Sequence, residues 1–399
     1  MPQKKTVCII GLGYIGLPTA AILANKNYQV HGVDVNQSTV DTINKGNIHI
    51  VEPELDEFVR SAVESGSLKA ALTPQASDIF IIAVPTPFHE GFVPNIDYIV
   101  SATKMIAPYV KEHDIVILES TSPIGTTDKV EEVLKENGVD TSKIFIAHCP
   151  ERVLPGQIMK ELVENDRIVG GTTSEATEKT VKFYKTFVSG EVLSTDAKTA
   201  EMAKLTENSF RDTNIAFANE LSMLCDKFDI DVWELIKLTN RHPRVNVLQP
   251  GAGVGGHCIA VDPWFIVHSG GDDAKIIKTA REVNTYKTEW TIEKIKNEVL
   301  VFEKENGRKA KIACMGLVFK PDIDDLRESP AAYITKSLIS QGFDVLAVEP
   351  NIKFHKEYDI VEYKEALEKA DVVAFLVAHK EFKKLEINTN LDFCGVNNK

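Results

Sequence analysis

The chain has 399 residues and a formal net charge of −13, with 43% hydrophobic and 26% charged residues. This length allows two or three domains, and the acidic balance argues against a nucleic-acid or membrane surface. Six cysteines without a CxxC pair argue against a disulfide scaffold or zinc ribbon and fit a reducing compartment. No apolar run approaches the ~20 residues that span a bilayer. The amino terminus superficially resembles a signal peptide, but three spaced glycines and a strand pattern follow, so a cytoplasmic location is expected.

Short apolar runs alternate with helical patterns in the first third of the chain. The runs TVCIIGLG, YQVHGVDVN, DIFIIAVPTP and DIVILEST predict four strands, and residues 14–26 predict a helix. The strands are almost continuously apolar, which is typical of strands covered on both faces. The alternation therefore predicts a doubly wound parallel sheet.

Gly11, Gly13 and Gly16 form a GxGxxG motif between the first strand and the first helix. Such glycines permit a tight turn, a close approach of backbone to pyrophosphate, and close helix–strand packing. Asp34 closes the second strand, where a carboxylate accepts hydrogen bonds from the adenosine ribose and repels the 2′-phosphate of NADP. The arrangement predicts NAD as the cofactor, and a glycine-rich turn without a ligand is the alternative.

Two further loops follow strands at the edge where an open parallel sheet binds its ligand. They lie at 85–87 and 120–125, and they direct Thr86, Thr121 and Thr127 toward the cofactor. Ordinary loop capping is the alternative for each threonine taken singly.

Residues 195–239 show no strand pattern and predict long helices interrupted near 229–231. Lys204, Asn208 and Arg211 are spaced to share one helix face. A lysine one turn before an asparagine could hold a hydroxyl oxygen and move its proton. A solvated polar face explains the pattern equally well.

Cys258 follows closely spaced glycines and lies beside His257. A buried filler would not need those glycines, and a zinc site would lack a second ligand pair. A nucleophile needs access and a nearby cation, which Lys204 would supply if its helix faces this loop. NAD, a cysteine and a lysine together suggest oxidation of an alcohol to an acid in two steps. A thiolate that adds to the aldehyde creates the tetrahedral carbon from which the second hydride leaves.

Beyond Arg308, the runs AKIACMGLVFK, FDVLAVEP and ADVVAFLVAH repeat the first three strands in order and character. They predict a second nucleotide-binding unit without GxGxxG, in which Ser329 and Pro330 begin a helix that stops at Gly342. The predicted fold is α/β, with two Rossmann-like doubly wound parallel-sheet domains joined by a long helical segment. The predicted boundaries are 1–194, 195–300 and 301–399.

Seven ordered motifs cover nearly the whole chain: IGLGYIGLP, AVPTP, ESTSPIGTT, PERVLPG, AEMAKLTENSFRDTNIAFANEL, GVGGHCIAVDP and GLVFKPDIDDLRESPA. They resemble the UDP-glucose/GDP-mannose dehydrogenase family of nucleotide-sugar 6-dehydrogenases. The resemblance implies a cytoplasmic, NAD-dependent homodimer that oxidises C6 of a UDP-sugar for a bacterial surface polysaccharide. It assigns UDP-sugar binding to the C-terminal domain and dimer contacts to the helical segment. The run NRHPRVNVLQPGAGVGGHCIAVDPWFIV is most similar to the branch that acts on UDP-N-acetyl-D-mannosamine.

The resemblance also assigns the catalytic roles in the oxidation. Cys258 is expected to be the nucleophile that forms the thiohemiacetal and thioester. Lys204 is expected to donate and accept the proton, and Asn208 to hold the C6 oxygen. Asp262 is expected to support Lys204 or a water molecule.

Hydrolysis and cofactor binding complete the assignment. Glu151 is expected to assist thioester hydrolysis, with Thr121 holding the water. The backbone N–H groups of Tyr14 and Ile15 are expected to contact the pyrophosphate, and Arg327 to reach NAD. No metal ion is implied.

The resemblance places the substrate pocket on a larger, mostly basic set of residues. These are Arg152, Val153, Lys204, Asn208, Arg211, His242, Arg244, Gly255, Phe319 and Lys320. In the family the equivalent of Arg244 can come from the partner subunit. A surface ion pair is the alternative for any single arginine.

Three other functions remain open. A sibling enzyme would act on UDP-GlcNAc, UDP-GalNAc or UDP-glucose. A β-hydroxyacid dehydrogenase shares the Rossmann unit and a KxxxN helix, but transfers one hydride and needs no cysteine. An NAD-binding regulatory or scaffold protein would not need the cysteine in its glycine loop.

Overall fold

A computed structural model describes residues 4–256, 258–385, 387, 389 and 391–397. Its strands are β1 Thr6–Ile10, β2 Gln29–Val33, β3 Leu68–Ala71, β4 Ile79–Ile82, β5 Phe88–His89, β6 Val93–Pro94, β7 Ile115–Leu118, β8 Phe145–His148, β9 Arg167–Gly171, β10 Val192–Asp196, β11 Lys311–Met315, β12 Asp344–Val348, β13 Ile360–Val361 and β14 Val372–Phe375. Its helices are α1 Gly16–Asn25, α2 Gln37–Asn44, α3 Leu55–Glu64, α4 Asp97–Ile106, α5 Thr126–Glu136, α6 Ile158–Glu164, α7 Ser174–Tyr184, α8 Ala197–Phe228, α9 Val232–Thr239, α10 Asp262–Gly270, α11 Lys275–Asn306, α12 Pro330–Ser340 and α13 Tyr363–Lys369. Among the described residues, no helix has the length and apolarity needed to cross a membrane.

The chain divides into two compact units. The N-terminal unit comprises the chain up to residue 206 together with 264–269, and the C-terminal unit comprises 207–263 and the chain from 270 onward. The division falls inside α8, within the segment that the sequence assigned to a helical domain at 195–300. The long helix α8 therefore contributes residues to both units.

The N-terminal unit contains a sheet in the order β10-β9-β8-β7-β4-β1-β2-β3. Its neighbours are parallel except β8 and β9, which pair antiparallel. Along β1, Val7 and Ile9 join one buried cluster, and Cys8 and Ile10 join another. Side chains of a strand alternate between faces, so this sheet is covered on both sides, as predicted. The helix predicted at 14–26 is α1, which begins two residues later.

The C-terminal unit contains a parallel sheet in the order β13-β12-β11-β14, the order of β3-β2-β1-β4 in the other unit. This confirms the second Rossmann-like unit. The first strand of each sheet ends in the same turn, because Gly316 N–H donates to Val348 and Gly11 N–H donates to Val33, both at 2.8 Å. Ser329 caps α12 as predicted.

The helical region consists mainly of α8, α9 and α11. The predicted interruption near 229–231 is confirmed, because α8 ends at Phe228 and α9 begins at Val232. The predicted start of the strand-free stretch is slightly wrong, since β10 continues to Asp196. Buried polar contacts join α8 to α11, including the ion pair of Asp212 and Arg281 at 2.6 Å. Such paired groups fix the register of the two helices.

Candidate active site

The three glycines after β1 have the geometry that a dinucleotide-binding turn requires. Gly11 has a φ of +93°, and a Cβ there would collide with the Ala83 carbonyl. A Cβ on Gly16 would collide with the Gly11 carbonyl, so helix and turn pack too closely for a side chain. Gly13 has no atom within 4 Å of its Cβ position, which leaves space for a ligand against the backbone.

The Asp34 carboxylate binds backbone N–H groups of this turn and of the loop after β2. Its Oδ2 accepts from the Leu12 N–H at 3.1 Å, and its Oδ1 accepts from the Asn36 N–H at 2.9 Å. Tyr14 is exposed, and α1 begins after Ile15 without a side-chain cap. An uncapped helix start with a facing carboxylate fits a pyrophosphate and a ribose, so these residues fit NAD.

The three predicted threonines differ in their surroundings. The Thr86 hydroxyl donates to the Thr121 carbonyl at 2.6 Å, which joins the loops after β4 and β7. Thr127 is fully buried, and both its N–H and its hydroxyl donate to Glu201, at 2.7 and 2.6 Å. While it donates to Glu201, the Thr127 hydroxyl can only accept a hydrogen bond from a cofactor. Its cofactor role stays a prediction that its burial disfavours.

Glu151 follows β8 and is buried against a charged partner. Its Oε2 forms an ion pair with Arg167 at 2.7 Å, and its Oε1 accepts from the Arg152 N–H at 2.6 Å. Arg152 also donates from Nη1 to the Asp166 carbonyl at 3.2 Å. Nearby, burial raises the pKa of Glu119 to about 7. Glu151, which is predicted to assist hydrolysis, therefore belongs to a buried charged cluster at the start of its loop.

The rest of this loop is held by a glutamate distant in sequence. Buried Glu52 accepts from the N–H groups of Gly156 and Ile158, at 2.8 and 2.7 Å. Its carboxylate therefore satisfies donors at the start of α6. Val153, predicted to line the substrate pocket, lies half-buried in the loop that Glu52 restrains.

In the C-terminal unit, the glycine loop before Cys258 packs on the loop after β11. A Cβ on Gly255 would approach Phe319 Cβ to 2.7 Å, and one on Gly256 would approach the Phe319 ring to 2.9 Å. The Gly256 N–H donates to the Arg327 carbonyl at 3.0 Å. Two motifs that are sixty residues apart in the sequence thus form one surface. His257, weighed as a metal ligand, lies outside the described residues.

Cys258 is the exposed cysteine of the six, whereas Cys394 is half-buried and the other four are buried. Its carbonyl accepts from the Asp262 N–H at 2.8 Å. The Asn208 side chain donates to Asp262 Oδ2 at 2.5 Å, so this aspartate connects α8 to the cysteine loop. Lys204 lies one turn before Asn208 on α8. Arg211, one turn further, is exposed.

The remaining residues predicted to bind the substrate, and Arg327, which is predicted to reach NAD, are exposed or half-buried on loops. Phe319 is half-buried and Lys320 is exposed. Arg327 is exposed, and its guanidinium binds the Asp325 carboxylate with contacts of 2.7 to 3.0 Å. His242 Nδ1 accepts from the Arg244 N–H at 3.4 Å, and both side chains are exposed.

Three buried residues that the sequence analysis missed hold these loops: Glu52, Arg167 and Glu201. Arg167 had a local signal, since it opens the apolar strand RIVGG, where an inward arginine needs an anionic partner. The two glutamates had none, because their partners lie 74 to 106 residues away.

A dinucleotide turn, a second sheet of the same order and an exposed cysteine in a glycine loop define an NAD-dependent oxidoreductase with two Rossmann-type domains. Three profiles of one family match the chain in succession: the NAD binding domain over 5–188, the central domain over 198–286 and the UDP binding domain over 313–395. The chain therefore belongs to the UDP-glucose/GDP-mannose dehydrogenase family.

Individual relatives span almost the whole chain. A UDP-N-acetyl-D-mannosamine dehydrogenase from Campylobacter jejuni is 57% identical, over 99% of this chain and 100% of the relative. An NDP-N-acetyl-D-galactosaminuronic acid dehydrogenase from Ralstonia nicotianae is 51% identical, over 96% and 92%. A solved UDP-D-ManNAc dehydrogenase from Pyrococcus horikoshii superposes with a TM-score of 0.87 at 37% identity, over 96% and 91%.

Proposed function

We propose that this chain is a UDP-N-acetyl-D-mannosamine 6-dehydrogenase. It converts the C6 alcohol of that sugar nucleotide to the carboxylate, with release of two NADH per sugar. The observation that carries the proposal is the exposed Cys258 in a glycine loop, because a single oxidation needs no thiol. The 57% identity to the Campylobacter jejuni enzyme supports the choice of sugar.

The first oxidation needs a proton acceptor and a fixed C6 oxygen. NAD, when bound, supplies the hydride acceptor for both oxidations. Lys204 exchanges the hydroxyl proton and then stabilises charge on the oxygen. Asn208 has two amide hydrogens, and since one is donated to Asp262, the other remains for the C6 oxygen. Asp262 thus orients the amide that holds the substrate.

The second oxidation and the hydrolysis use the thiol. The Cys258 thiolate adds to the aldehyde carbon, and loss of hydride from that carbon leaves a thioester. Glu151 accepts a proton from the water that attacks the thioester, and Thr121 holds this water. Hydrolysis releases the uronate and restores the cysteine.

Substrate binding requires local cations because the chain carries a net charge of −13. Arg152, Arg211, Arg244 and Lys320 supply them, with Arg327 reaching NAD. Guanidinium groups suit phosphate and the product carboxylate, since both accept two parallel hydrogen bonds. His242 and Phe319 complete the sugar-nucleotide pocket beside the Gly255 backbone.

A homodimer completes the proposal, with Arg244 supplied by the partner subunit. Phe210, Phe217 and Leu224 recur every seven residues on α8, and their exposed fractions are 69%, 57% and 42%. Large apolar side chains in such a row are typical of a helix that packs on another helix. We place this homodimer in the cytoplasm.

The test is a panel of UDP-ManNAc, UDP-GlcNAc, UDP-GalNAc and UDP-glucose, with NADH counted per sugar consumed. We expect the highest kcat/KM for UDP-ManNAc, with two NADH per sugar. One NADH per sugar would indicate a single-step dehydrogenase and contradict the proposal. A Cys258→Ser variant should lose the two-step oxidation and still bind NAD.

A second candidate differs only in the sugar. The 51% identity to the Ralstonia nicotianae relative, over nearly the same length, favours an N-acetylated galactose-type substrate as the alternative. The same panel separates the two, since two NADH with UDP-GalNAc but none with UDP-ManNAc would select this candidate.

A further inference from the structure

A buried ion pair fixes Glu151, the residue proposed to accept the proton of the hydrolytic water. Arg167 donates from Nη1 to Glu151 Oε2 at 2.7 Å, and the two side chains are 2% and 7% exposed. The other carboxylate oxygen accepts from the Arg152 N–H at 2.6 Å. Each oxygen therefore has a fixed donor and keeps a free lone pair, so the carboxylate is oriented without losing its capacity to accept a proton.

Arg167 is itself held in place by its surroundings. Its Nη2 donates to the Leu162 carbonyl at 3.1 Å, and its Cζ lies 5.8 Å from the centroid of the Tyr184 ring. The Tyr184 hydroxyl donates to Glu119 Oε1 at 2.5 Å. Among the described residues, Arg167 Nε and Glu119 Oε2 are buried atoms without a hydrogen-bond partner. The cluster thus retains polar groups that a purely structural core would pair or replace.

Stability alone explains such a cluster poorly. Apolar side chains of similar volume often stabilise a core as well as a buried ion pair does, because they avoid the desolvation of two charges. We propose that Arg167 is a positioning residue for the final half-reaction, in which it holds the Glu151 carboxylate ready to accept the proton of the attacking water. This inference rests on the proposed function.

The step balances without an additional reactant. The water oxygen bonds to the thioester carbon, and one water proton passes to Glu151. The carbon–sulfur bond breaks, and its electron pair stays on Cys258 Sγ. The new acid then loses its proton at neutral pH, and Glu151 returns its own proton to the thiolate or to solvent. Neither hydride loss uses Glu151, so removal of Arg167 should slow only hydrolysis.

Glu119 makes this arrangement sensitive to pH. Burial raises the pKa of Glu119 to about 7; Arg167 and Tyr184 lower it, whereas Glu151 raises it. Below that pH the Glu119 carboxyl is neutral, and Glu151 is the carboxylate that attracts the Arg167 guanidinium. Above it, the ionised Glu119 competes for the same guanidinium. Cys149 also faces the cluster, but burial raises its pKa to about 12, so it remains a thiol.

The experiment follows NADH release after rapid mixing of the intact enzyme with NAD and UDP-ManNAc. Arg167→Lys keeps a cation but loses the planar geometry, and Arg167→Met removes both. We expect a burst of two NADH per active site, then a steady state slowed on the order of a hundredfold for Arg167→Met and less for Arg167→Lys. Quenched samples of both variants should carry the sugar acyl group on Cys258 by intact mass.

Arg281→Lys is the matched control, because Arg281 forms an equally buried ion pair with Asp212 at 2.6 Å. Arg281→Lys should lower the melting temperature and produce neither a burst nor an acyl adduct.

The hydrolysis rate of the wild-type enzyme should show an inflection near pH 7 when it is plotted against pH. Glu119→Gln should abolish this inflection. If Arg167→Lys folds and slows hydride transfer and hydrolysis equally, the inference is wrong. A wild-type enzyme that releases one NADH per sugar contradicts the proposed function first, and the inference with it.

Discussion

At the scale of single residues, we expect cofactor choice to depend on the carboxylate of Asp34. It accepts backbone hydrogen bonds from Leu12 and Asn36, and an anion there repels the 2′-phosphate of NADP. Asp34→Asn should raise the KM for NAD by about tenfold and increase the use of NADP relative to NAD, because a hydrogen bond to a charged group is lost. Steady-state kinetics with both cofactors at saturating UDP-sugar measure this change.

The second Rossmann unit provides the control for that prediction. Glu349 follows β12 as Asp34 follows β2, and it accepts from Leu317 and Asn351, both at 2.9 Å. Glu349→Gln should leave the ratio of NAD to NADP use unchanged. An equal change in both variants would show that Asp34 does not read the ribose.

Cysteine reactivity should be concentrated at Cys258. Burial raises the pKa values of Cys8, Cys149 and Cys314 to about 12, whereas Cys258 is exposed. Since the thiolate is the nucleophile, iodoacetamide at pH 7.5 should modify Cys258 and abolish activity, and UDP-sugar should slow both. Peptide mapping against residual activity measures this. Inactivation that tracks another cysteine would contradict the catalytic assignment.

At the scale of elements, apolar runs predicted β1, β2, β4 and β7 of the N-terminal sheet, whereas the equally buried β8 was not predicted. The sequence analysis missed β3, LKAA, because two alanines and a lysine have low β-propensity, and its extended form comes from pairing with β2. It also missed β9, because the glycines of RIVGG read as a turn. In the structure these are required, since a Cβ on Gly171 would lie 2.5 Å from the Thr177 nitrogen.

Some residues of the candidate site can be predicted from their neighbours in the sequence, whereas others depend on contacts with residues distant in the sequence. Gly11, Gly13 and Gly16 carry a local signal because their chemistry depends on their own backbone. The roles of Glu52 and Arg167 depend on which loops the tertiary structure brings to them. The sequence does not distinguish a solvated glutamate at position 52 from one that caps a helix. Only the burial of Glu52 in the folded protein shows that it caps α6.

The pair of α8 and α11 should respond to pH through Lys287. Its Nζ donates to Ser222 at 2.7 Å and lies 3.9 Å from the centroid of the Trp290 ring. Burial lowers the pKa of Lys287 to about 7, while Asp226 raises it and Lys294 lowers it. Between that pH and about 10.5 the unfolded chain holds a proton that the folded chain lacks, so this contribution to stability rises with pH.

Lys287→Met should therefore stabilise the protein most at low pH. Below about pH 7 the folded chain must hold a buried cation, which the methionine avoids. The difference in free energy of unfolding between variant and wild type should shrink by about 3 kcal/mol from pH 6.5 to pH 9.5, as measured by denaturant unfolding. Lys296→Met, on the same helix but paired at the surface with Glu293, is the control and should show a difference that hardly changes with pH. A constant difference for Lys287→Met would contradict the assignment.

At the scale of the whole molecule, the two Rossmann-like units share one strand order but differ in the residues of the turn after the first strand. The dinucleotide turn of the N-terminal unit has an open Gly13, whereas the corresponding position after β11 is the fully buried Val318. The carboxylate after β12 also has a protein partner, since Glu349 Oε2 lies 3.1 Å from Nε2 of buried His379. The second unit therefore lacks the open glycine of the dinucleotide turn, and its loop continues into Phe319 and Lys320.

The homodimer proposal makes a quantitative prediction about Arg244. If the partner subunit supplies this arginine, an active site needs Cys258 from one chain and Arg244 from the other. Arg244→Ala and Cys258→Ser homodimers should both be inactive. A heterodimer of the two variants contains one complete site, formed by the cysteine of the Arg244→Ala chain and the arginine of the Cys258→Ser chain.

Random pairing makes half of the dimers heterodimers, and each restores one site of two. Co-expression in equal amounts should therefore recover about a quarter of wild-type activity from two inactive proteins, because a two-fold interface exchanges equivalent residues. Differently tagged chains allow the heterodimer to be purified, and its activity should reach about half of the wild-type value. No recovery in a purified heterodimer would place Arg244 in its own subunit's site, since each complete site would then need both residues on one chain.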